Sequence, residues 1–425
     1  MMVGAAFLFT LILGIPIAFV LGISGLTHMV VLQEPLLLTM LPQRMFAATD
    51  NYSLLAIPLF LFAGELMERS GDVERLTDFA RALVGQVKGG LAYVMVVLGA
   101  LLGGPLGSAN AEAALLGSTL YREMKKEGYD EVFGTCLVSA VSVLGPILPP
   151  GLILVVYGVS AGISIGELFF AGIMPGLYLA AALALTVYVV GRNHDWPVTR
   201  WQGFGYVWYT FKRAFFSLAA PVAVLASIVL GICTPTESAA LASALTFLVG
   251  RFVYKKIKIR DLGPICVKTG VLSGAIMLIV AMANILGWTL ALDQVPQRIA
   301  RGMLEFTQDP WLVLLLVNLL LLGVGMIMET IAAVIILVPV FMPIVNHLGL
   351  DPVHFGLVVC LNLTIGMLTP PVGVVLYTAS MACGVPVARL LKPIWFWVAV
   401  CLVVLLFVTY FPGATLFVPR LFFGR

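Results

Sequence analysis

The sequence predicts an all-α polytopic membrane protein made of two inverted repeats, each with a re-entrant helical hairpin and a broken transmembrane helix. Three observations carry that prediction. First, the 425-residue chain is 61% hydrophobic and 11% charged, with a mean hydropathy of +1.08. Apolar runs of about 20 residues, enough to cross a bilayer, recur along it and leave no stretch for a soluble domain. Second, Gly366-Met367-Leu368-Thr369-Pro370-Pro371-Val372-Gly373 interrupts the apolar stretch 353–383. Two adjacent prolines remove two amide donors and clash with the preceding turn. In hydrocarbon such a break survives only where it is buried in protein or lines a wet cavity. Third, Gly145-Pro146-Ile147-Leu148-Pro149-Pro150-Gly151 repeats the break upstream. Leu101-Leu102-Gly103 matches Leu321-Leu322-Gly323 and Phe133-Gly134 matches Phe355-Gly356, all at offsets of 220 to 222 residues. Paired broken helices in an internal repeat point to a transporter binding site.

The first repeat spans 1–195. Residues 3–31 read as one helix, too long and too weakly basic at its start for a signal peptide. Residues 32–51 read as a loop and 54–67 as a second helix. Over 72–87, Val73, Leu76, Phe79, Leu83 and Val87 recur at helical spacing opposite Glu74, Arg75, Asp78 and Arg81, the pattern of an interfacial amphipathic helix. Residues 90–127 are apolar, and the flanks of the central Gly-Gly-Pro-Leu-Gly-Ser-Ala-Asn are each short for a crossing. A re-entrant hairpin with its tip at 103–110 follows. Ser108 is read either as the cap of the return arm or as a ligand. The broken helix, 132–162, and a full helix, 166–190, complete the repeat.

Residues 196–232 read as an interfacial segment and a linking helix from 215. Trp196, Trp201, Trp208 and Tyr209 alternate there with Arg200, Lys212 and Arg213, as at lipid headgroups. The second repeat, 233–425, opens on Thr234-Pro235-Thr236-Glu237, a capping-box pattern. It continues with helix 235–252, a basic loop 255–268, helix 271–291 and a second interfacial arm 295–306. The second hairpin, 311–347 with its tip at 323–330, the broken helix 353–383 and a last span 394–410 follow. Each repeat contributes four crossings plus a hairpin that returns to its own side, and the linking helix is a ninth crossing, so the repeats are inverted. With the amino terminus in the cytoplasm and the carboxyl terminus outside, 19 of the 24 basic residues fall inside, as the positive-inside rule requires.

These residues resemble a family. Leu55-Ala56-Ile57-Pro58-Leu59-Phe60, Ala63-Gly64-Glu65-Leu66-Met67, Gly107-Ser108-Ala109, Thr234-Pro235-Thr236-Glu237, Gly325-Met326-Ile327-Met328-Glu329-Thr330 and Thr369-Pro370-Pro371-Val372-Gly373 stand in order over nearly the whole chain. They are similar to the large membrane subunit of tripartite ATP-independent periplasmic (TRAP) transporters, the DctM-like permeases. The resemblance implies sodium-driven uptake of a small organic acid across a bacterial or archaeal cytoplasmic membrane. It also implies an elevator-type fold of the ion-transporter superfamily, a small four-helix membrane subunit (DctQ-like) and a periplasmic substrate-binding protein (DctP-like). Sodium would bind where each hairpin tip meets a broken helix: at Gly104, Ser108, Asn110 and Gly145 in the first repeat, and at Gly325, Thr330, Thr364, Gly366 and Thr369 in the second. Substrate would meet Ser108, Thr330 and the proline pairs Pro149, Pro150, Pro370 and Pro371. One departure stands out. Relatives read Ser-Gly-Ser or Ser-Gly-Thr followed by Ala-x-Ala-Asp at the first tip, whereas this chain has Leu106, which offers no hydroxyl, and Glu112. Asn110 or backbone carbonyls are the candidate substitutes.

The chemistry of the residues agrees. No Lys or Arg lies between Lys88 and Arg122, between Lys126 and Arg192, or between Arg301 and Arg389. A carboxylate bound in the hairpin core must therefore meet bound cations and half-helix amino termini. Carbonyls freed at Gly145 and Gly366 and the hydroxyls of Ser108, Thr364 and Thr369 are oxygens suited to sodium. Glu329 is read either as an ion ligand or as a helix cap, Glu112 as structural and His354 as interfacial. The cysteines (Cys136, Cys233, Cys266, Cys360, Cys383 and Cys401) form no CxxC pair, and the four histidines form no cluster. No cofactor and no metal other than sodium is expected. A stand-alone sodium or proton symporter of the same architecture is the alternative. An intramembrane enzyme lacks a metal motif, paired aspartates or a Ser/His arrangement, and a passive channel fits two inverted sites poorly.

Overall fold

The computed structural model describes residues 2–32, 35–198, 200–307 and 309–424. Met1, Gln33, Glu34, Thr199, Gln308 and Arg425, and with them the first residue of the first expected repeat and the last residue of the second, lie outside the described residues. Among the described residues all regular structure is helical.

An outer layer pairs helices distant in sequence. Ile17–Leu32 packs on Ile259–Leu292, and Ala56–Ser70 packs on Pro235–Leu248. Small residues permit the close approach: a Cβ on Gly25 would lie 3.2 Å from the Leu286 backbone nitrogen, and the Ser243 hydroxyl donates to the Leu59 carbonyl at 2.7 Å. Asp72 anchors the first interfacial arm, Asp72–Val84, by accepting from the hydroxyls of Ser70 and Ser217. Burial pushes its carboxyl up from its ordinary value, against the pull of those hydroxyls and of Arg75.

The inner layer holds the hairpins and broken helices. The first hairpin comprises Gly90–Leu106 and Ala109–Ser118, extended by Leu120–Lys126; its broken helix comprises Glu131–Val141, Leu144–Ile147 and Leu152–Ala161. The second hairpin is Pro310–Gly325 with Thr330–His347, and its broken helix is Pro352–Leu368 with Val374–Cys383. Each return arm packs across the molecule: Ala109–Ser118 on Val374–Cys383, and Thr330–His347 on Leu152–Ala161. A Cβ on Gly117 would sit 2.7 Å from Ala382, and the Tyr157 hydroxyl donates to the Pro352 carbonyl at 3.0 Å. Residues 134–157 and 353–369 are buried throughout, as freed backbone groups in a membrane require.

The elements depart from expectation at several places. The helix expected over 3–31 is two, Met2–Ile12 and Ile17–Leu32, because Gly14 turns left-handed (φ 73°) and Pro16 follows it. The expected loop 32–51 contains helices Pro35–Thr39 and Leu41–Thr49. The linking helix starts at Phe204 and runs to Val229, since the aromatic-basic segment is itself helical. Residues 255–268 are mostly helix: Ile259–Leu292 begins there, its entry fixed by the Lys258 amide donating to Asp261 at 2.8 Å. A terminal helix, Pro412–Phe423, turns 63° from Ile394–Tyr410 and packs on Ile165–Gly191. His354 is buried, its Nε2 2.8 Å from the Val408 carbonyl, so it ties the second broken helix to the last span instead of lying at an interface. The capping box at Thr234 forms as expected, with reciprocal bonds to Glu237.

Charged side chains that the positive-inside pattern assigns to one face meet one another. Arg81 pairs with Glu123, Arg213 with Asp78 at 3.3 Å, and both Lys125 (2.7 Å) and Arg389 (3.4 Å) with Glu131. Arg44, assigned to the opposite face, lies over Trp288 at 4.7 Å.

Candidate functional site: two hairpin–break junctions and the cavity between the tips

The first junction is built from glycine. Gly90–Leu106 ends where Gly107 adopts φ 58° and its amide returns to the Gly103 carbonyl at 2.8 Å, a conformation that disfavours any residue with a Cβ. The arm then presses on the broken helix. A Cβ on Gly103 would lie 3.1 Å from Gly145 Cα, and one on Gly104 would lie 2.2 Å from the Pro149 carbonyl oxygen. Pro149 and Pro150 have no N–H, so the Gly145 and Pro146 carbonyls lose the amides that would follow four residues on, and the Gly145 carbonyl receives no other backbone bond.

The second junction repeats the contact. A Cβ on Gly366 would lie 2.6 Å from Gly325 Cα, and one on Gly325 would lie 2.8 Å from the Leu363 carbonyl oxygen. The contacts thus pair Gly103 with Gly145 and Gly325 with Gly366, which makes Gly325, not Gly323, the counterpart of Gly103. The Gly366 carbonyl, expected to be free, accepts from the Thr369 amide at 2.9 Å. The Thr364 and Thr369 hydroxyls are wholly buried and donate to the carbonyls of Cys360 (2.7 Å) and Ile365 (2.8 Å). Each hydroxyl oxygen keeps acceptor capacity.

Between the junctions lies a cavity of about 640 Å³, within the roughly 300–1,000 Å³ usual for small-molecule sites. Gly107, Ser108 and Asn110 line it from the first tip and Glu329 and Thr330 from the second. Pro146, Leu152, Ile153 and Met367 come from the broken helices, and Leu61, Glu65, Lys268 and Ile276 from the outer layer. Both tips therefore face one space.

The expected site residues divide into three groups. Ser108, Asn110 and Thr330 reach the cavity; Gly104, Gly145, Gly325, Gly366, Thr364 and Thr369 form the junctions behind it. Pro149, Pro150, Pro370 and Pro371 do not line it: Pro149 is sealed against Gly104, Pro150 faces Phe60, Ala63 and Pro221, and Pro371 is exposed. A direct substrate contact by these prolines is not what the geometry offers, because a break redirects the chain while its rings pack into the surroundings. Ser108 is extended at the start of the return arm, but its side chain makes no cap bond, so its cap reading is corrected. Asn110 accepts from the Thr378 hydroxyl at 3.3 Å, which ties the first tip to the second broken helix. Glu329 is the cap of its arm, accepting from the Ile331 and Ala332 amides at 3.0 and 3.2 Å and from the Thr330 hydroxyl at 3.3 Å.

Two features escaped the sequence reading. Lys268, placed in a loop there, stands on a helix at the cavity wall and pairs with Glu65 at 2.7 Å. Asn362 donates to the Asn318 carbonyl and side chain at 2.9 and 2.8 Å, and Asn318 donates to Thr409 at 3.1 Å. This buried amide network joins the second hairpin, the second broken helix and the last span. A single asparagine inside each of two apolar runs was the available signal.

A polytopic helical protein in which two hairpin tips close on one small-molecule cavity is a membrane transporter by fold and site. The model of the family described as "Tripartite ATP-independent periplasmic transporter, DctM component" matches residues 4–414, and the chain belongs to that family. It is 36% identical over 400 residues to the C4-dicarboxylate TRAP transporter large permease protein DctM of Pseudomonas aeruginosa, covering 94% of this chain and 93% of that one. It is 36% identical over 425 residues to the sialic acid TRAP transporter large permease protein SiaM of Vibrio cholerae, covering 100% and 99%. Against the isethionate TRAP transporter permease protein DctMQ of Oleidesulfovibrio alaskensis identity is 36%, over 96% of this chain and 64% of that protein. Among solved structures, the YdaH transporter of Alcanivorax borkumensis superposes with a TM-score of 0.62 at 15% identity, over 89% and 88% of the two chains; that likeness concerns the fold alone.

Proposed function

We propose that this large permease takes up a small organic acid with sodium, working with a small membrane subunit and a periplasmic binding protein. The observation that carries the reading is the single cavity bounded by both hairpin tips, with backbone and hydroxyl oxygens at the junctions behind it. The hairpins and broken helices bring no Lys or Arg to this space, so a carboxylate held there draws on cations at the junctions and on half-helix amino termini. Ion and acid then stabilise one another, which is the free-energy coupling a symporter needs. Lys268, the basic residue on the outer wall, is already matched by Glu65. Named relatives handle C4-dicarboxylates, sialic acid and isethionate, all anions, and the protein named DctMQ, of which this chain spans 64%, has length for a second membrane component.

The cavity lies between the hairpin layer and the outer helices, so sliding one layer past the other would carry its contents across. In the proposed orientation the cavity opens to the cytoplasm, the side of Lys268. Impermeant thiol labelling tests this: Glu127→Cys should react from the cytoplasmic side and Asn346→Cys from the outside, and labelling of both from one side would overturn the inverted arrangement. Uptake in proteoliposomes under an inward sodium gradient, with a panel of organic acids, tests the function. Acid uptake that needs sodium, the binding protein and the small subunit is the expected result. Uptake by this chain alone would favour the stand-alone symporter, and uptake indifferent to sodium would remove the ion from the cycle.

A further inference from the structure

A second cavity, of about 180 Å³, lies at the base of the first hairpin, on the face that the basic residues assign to the cytoplasm. Asp78 and Arg81 of the first interfacial arm wall it, with Glu127 just past the return arm of the hairpin. Arg200, Trp201 and Tyr206, from the segment that enters the linking helix, close the other side. Two of these four charges are already answered: Arg81 pairs with Glu123, and Asp78 with Arg213 at 3.3 Å. Among the described residues the other two, Arg200 and Glu127, form no ion pair. A cation and an anion thus face one cavity without meeting each other. The rim is aromatic. Trp201 packs edge-on against Phe204 with ring centres 5.0 Å apart, and the two are 49% and 79% exposed. Exposed aromatic rings beside such charges are the mark of headgroup depth.

We propose that this cavity binds the headgroup of a zwitterionic phospholipid of the cytoplasmic leaflet, phosphoethanolamine in type, with its phosphate on Arg200 and its ammonium on Glu127. A dipolar ligand suits one cation and one anion held apart around a common space. Guanidinium takes phosphate oxygens through paired N–H donors, and an ammonium brings three N–H donors to a carboxylate. A purely anionic headgroup would answer Arg200 but meet Glu127 as a like charge, and a choline nitrogen has no N–H to donate. Trp201 and Phe204 offer the acyl chains an apolar surface beside the headgroup. The position carries a consequence. Glu127 ends the first hairpin, in the inner layer, whereas Arg200 leads into Phe204–Val229, which packs on the arm Asp72–Val84 in the outer layer. A headgroup held by both stands across the seam between the layers. It favours the arrangement in which both residues reach it, by its difference in affinity between the two arrangements. The inference concerns a lipid and not the cargo, so it stands apart from the sodium reading and uses the proposed orientation only to name the leaflet.

Native mass spectrometry of the full-length chain in detergent tests the assignment, with phosphatidylethanolamine, phosphatidylglycerol and phosphatidylcholine of equal acyl chains as the added lipids. Phosphatidylethanolamine should be retained over the other two. Glu127→Gln should lower its retention roughly threefold, the scale of an exposed charge pair, and bring it level with phosphatidylglycerol. Arg200→Gln should weaken all three lipids. Lys126→Gln, a charge change on the same face but outside the cavity, should alter none of them. Glu127, Arg200 and Lys126 are all exposed, so the variants should fold. Equal retention of phosphatidylethanolamine and phosphatidylglycerol by the natural sequence would overturn the proposal, as would a preference that survives in Glu127→Gln. Soluble phosphoethanolamine that displaces the lipid at equal concentration would overturn the lipid assignment and give the cavity to a soluble phosphoester.

Discussion

The two hairpin–break junctions share a backbone and differ in how they use an acid. In both, a glycine at the end of the first hairpin arm presses on a glycine of the broken helix, Gly103 on Gly145 and Gly325 on Gly366, and in both an adjacent proline pair ends the helix. In the second junction the acid, Glu329, caps the return arm from the residue before its first turn and is held by amides that a helix start leaves free. In the first junction the acid, Glu112, sits one turn further in, where the amides of its own arm are already bonded, and the backbone beside it is that of Gly145 in the broken helix. The threonines of the second junction close their hydroxyls onto carbonyls of their own helix, and the Gly366 carbonyl is bonded by the Thr369 amide; at the first junction the Gly145 carbonyl receives no backbone bond. A repeated backbone therefore does not imply repeated chemistry. A shift of four residues in where an acid falls separates a cap from an acid that its own arm leaves uncapped.

Substitutions can break that comparison, beginning with its shared part. Gly366→Ala places a methyl 2.6 Å from the Gly325 backbone, which cannot yield as a side chain would. The expected cost is about 1–3 kcal/mol of overpacking with uptake lost. Gly323→Ala, with nothing within 4 Å of the added methyl, should leave uptake and melting temperature close to normal. Equal behaviour of the two would show that the junction is not a close-packed contact.

The acids come next. Glu329→Ala should lower stability by about 1 kcal/mol, the value of a lost amino-terminal cap, and Glu329→Asp should restore most of it. Neither should change the number of sodium ions bound, and a lost ion in Glu329→Ala would make this acid a ligand as well as a cap. The smallest effects belong to the hydroxyls. Ser108→Ala removes no cap bond and should leave stability within about 0.5 kcal/mol, as should Thr369→Val within a kcal/mol or so of one buried hydrogen bond. Each should raise the sodium concentration for half-maximal uptake several-fold. Unchanged half-saturation in both would remove these side chains from the ion sites.

The membrane class, the hairpins, the breaks and the amphipathic arms were legible because they are local. Prolines, glycines and apolar spacing act within a turn or two of the chain. The same local signals misled where an apolar run hid a break, as at Gly14 and Pro16, or where a charged stretch hid a helix, as at 259–268. The lining of the candidate cavity was legible in part. Ser108, Asn110 and Thr330 do face the cavity, yet the prolines that mark the breaks do not, because a residue that bends the chain need not point where the chain then leads.

The sequence by itself determined that the chain lives in a membrane, that it carries two copies of a hairpin and a broken helix, and which family it joins. Those properties follow from solvation of the backbone and from proline and glycine stereochemistry, both fixed by composition and order. Only the tertiary structure decided which arm packs on which break, that both tips open on one cavity, that Lys268 reaches it in the grip of Glu65, and that Glu329 is capped within its own arm while Glu112 is buried against Gly145 of the broken helix. The balance of a buried charge depends on donors brought from residues far along the chain, so no local pattern states it.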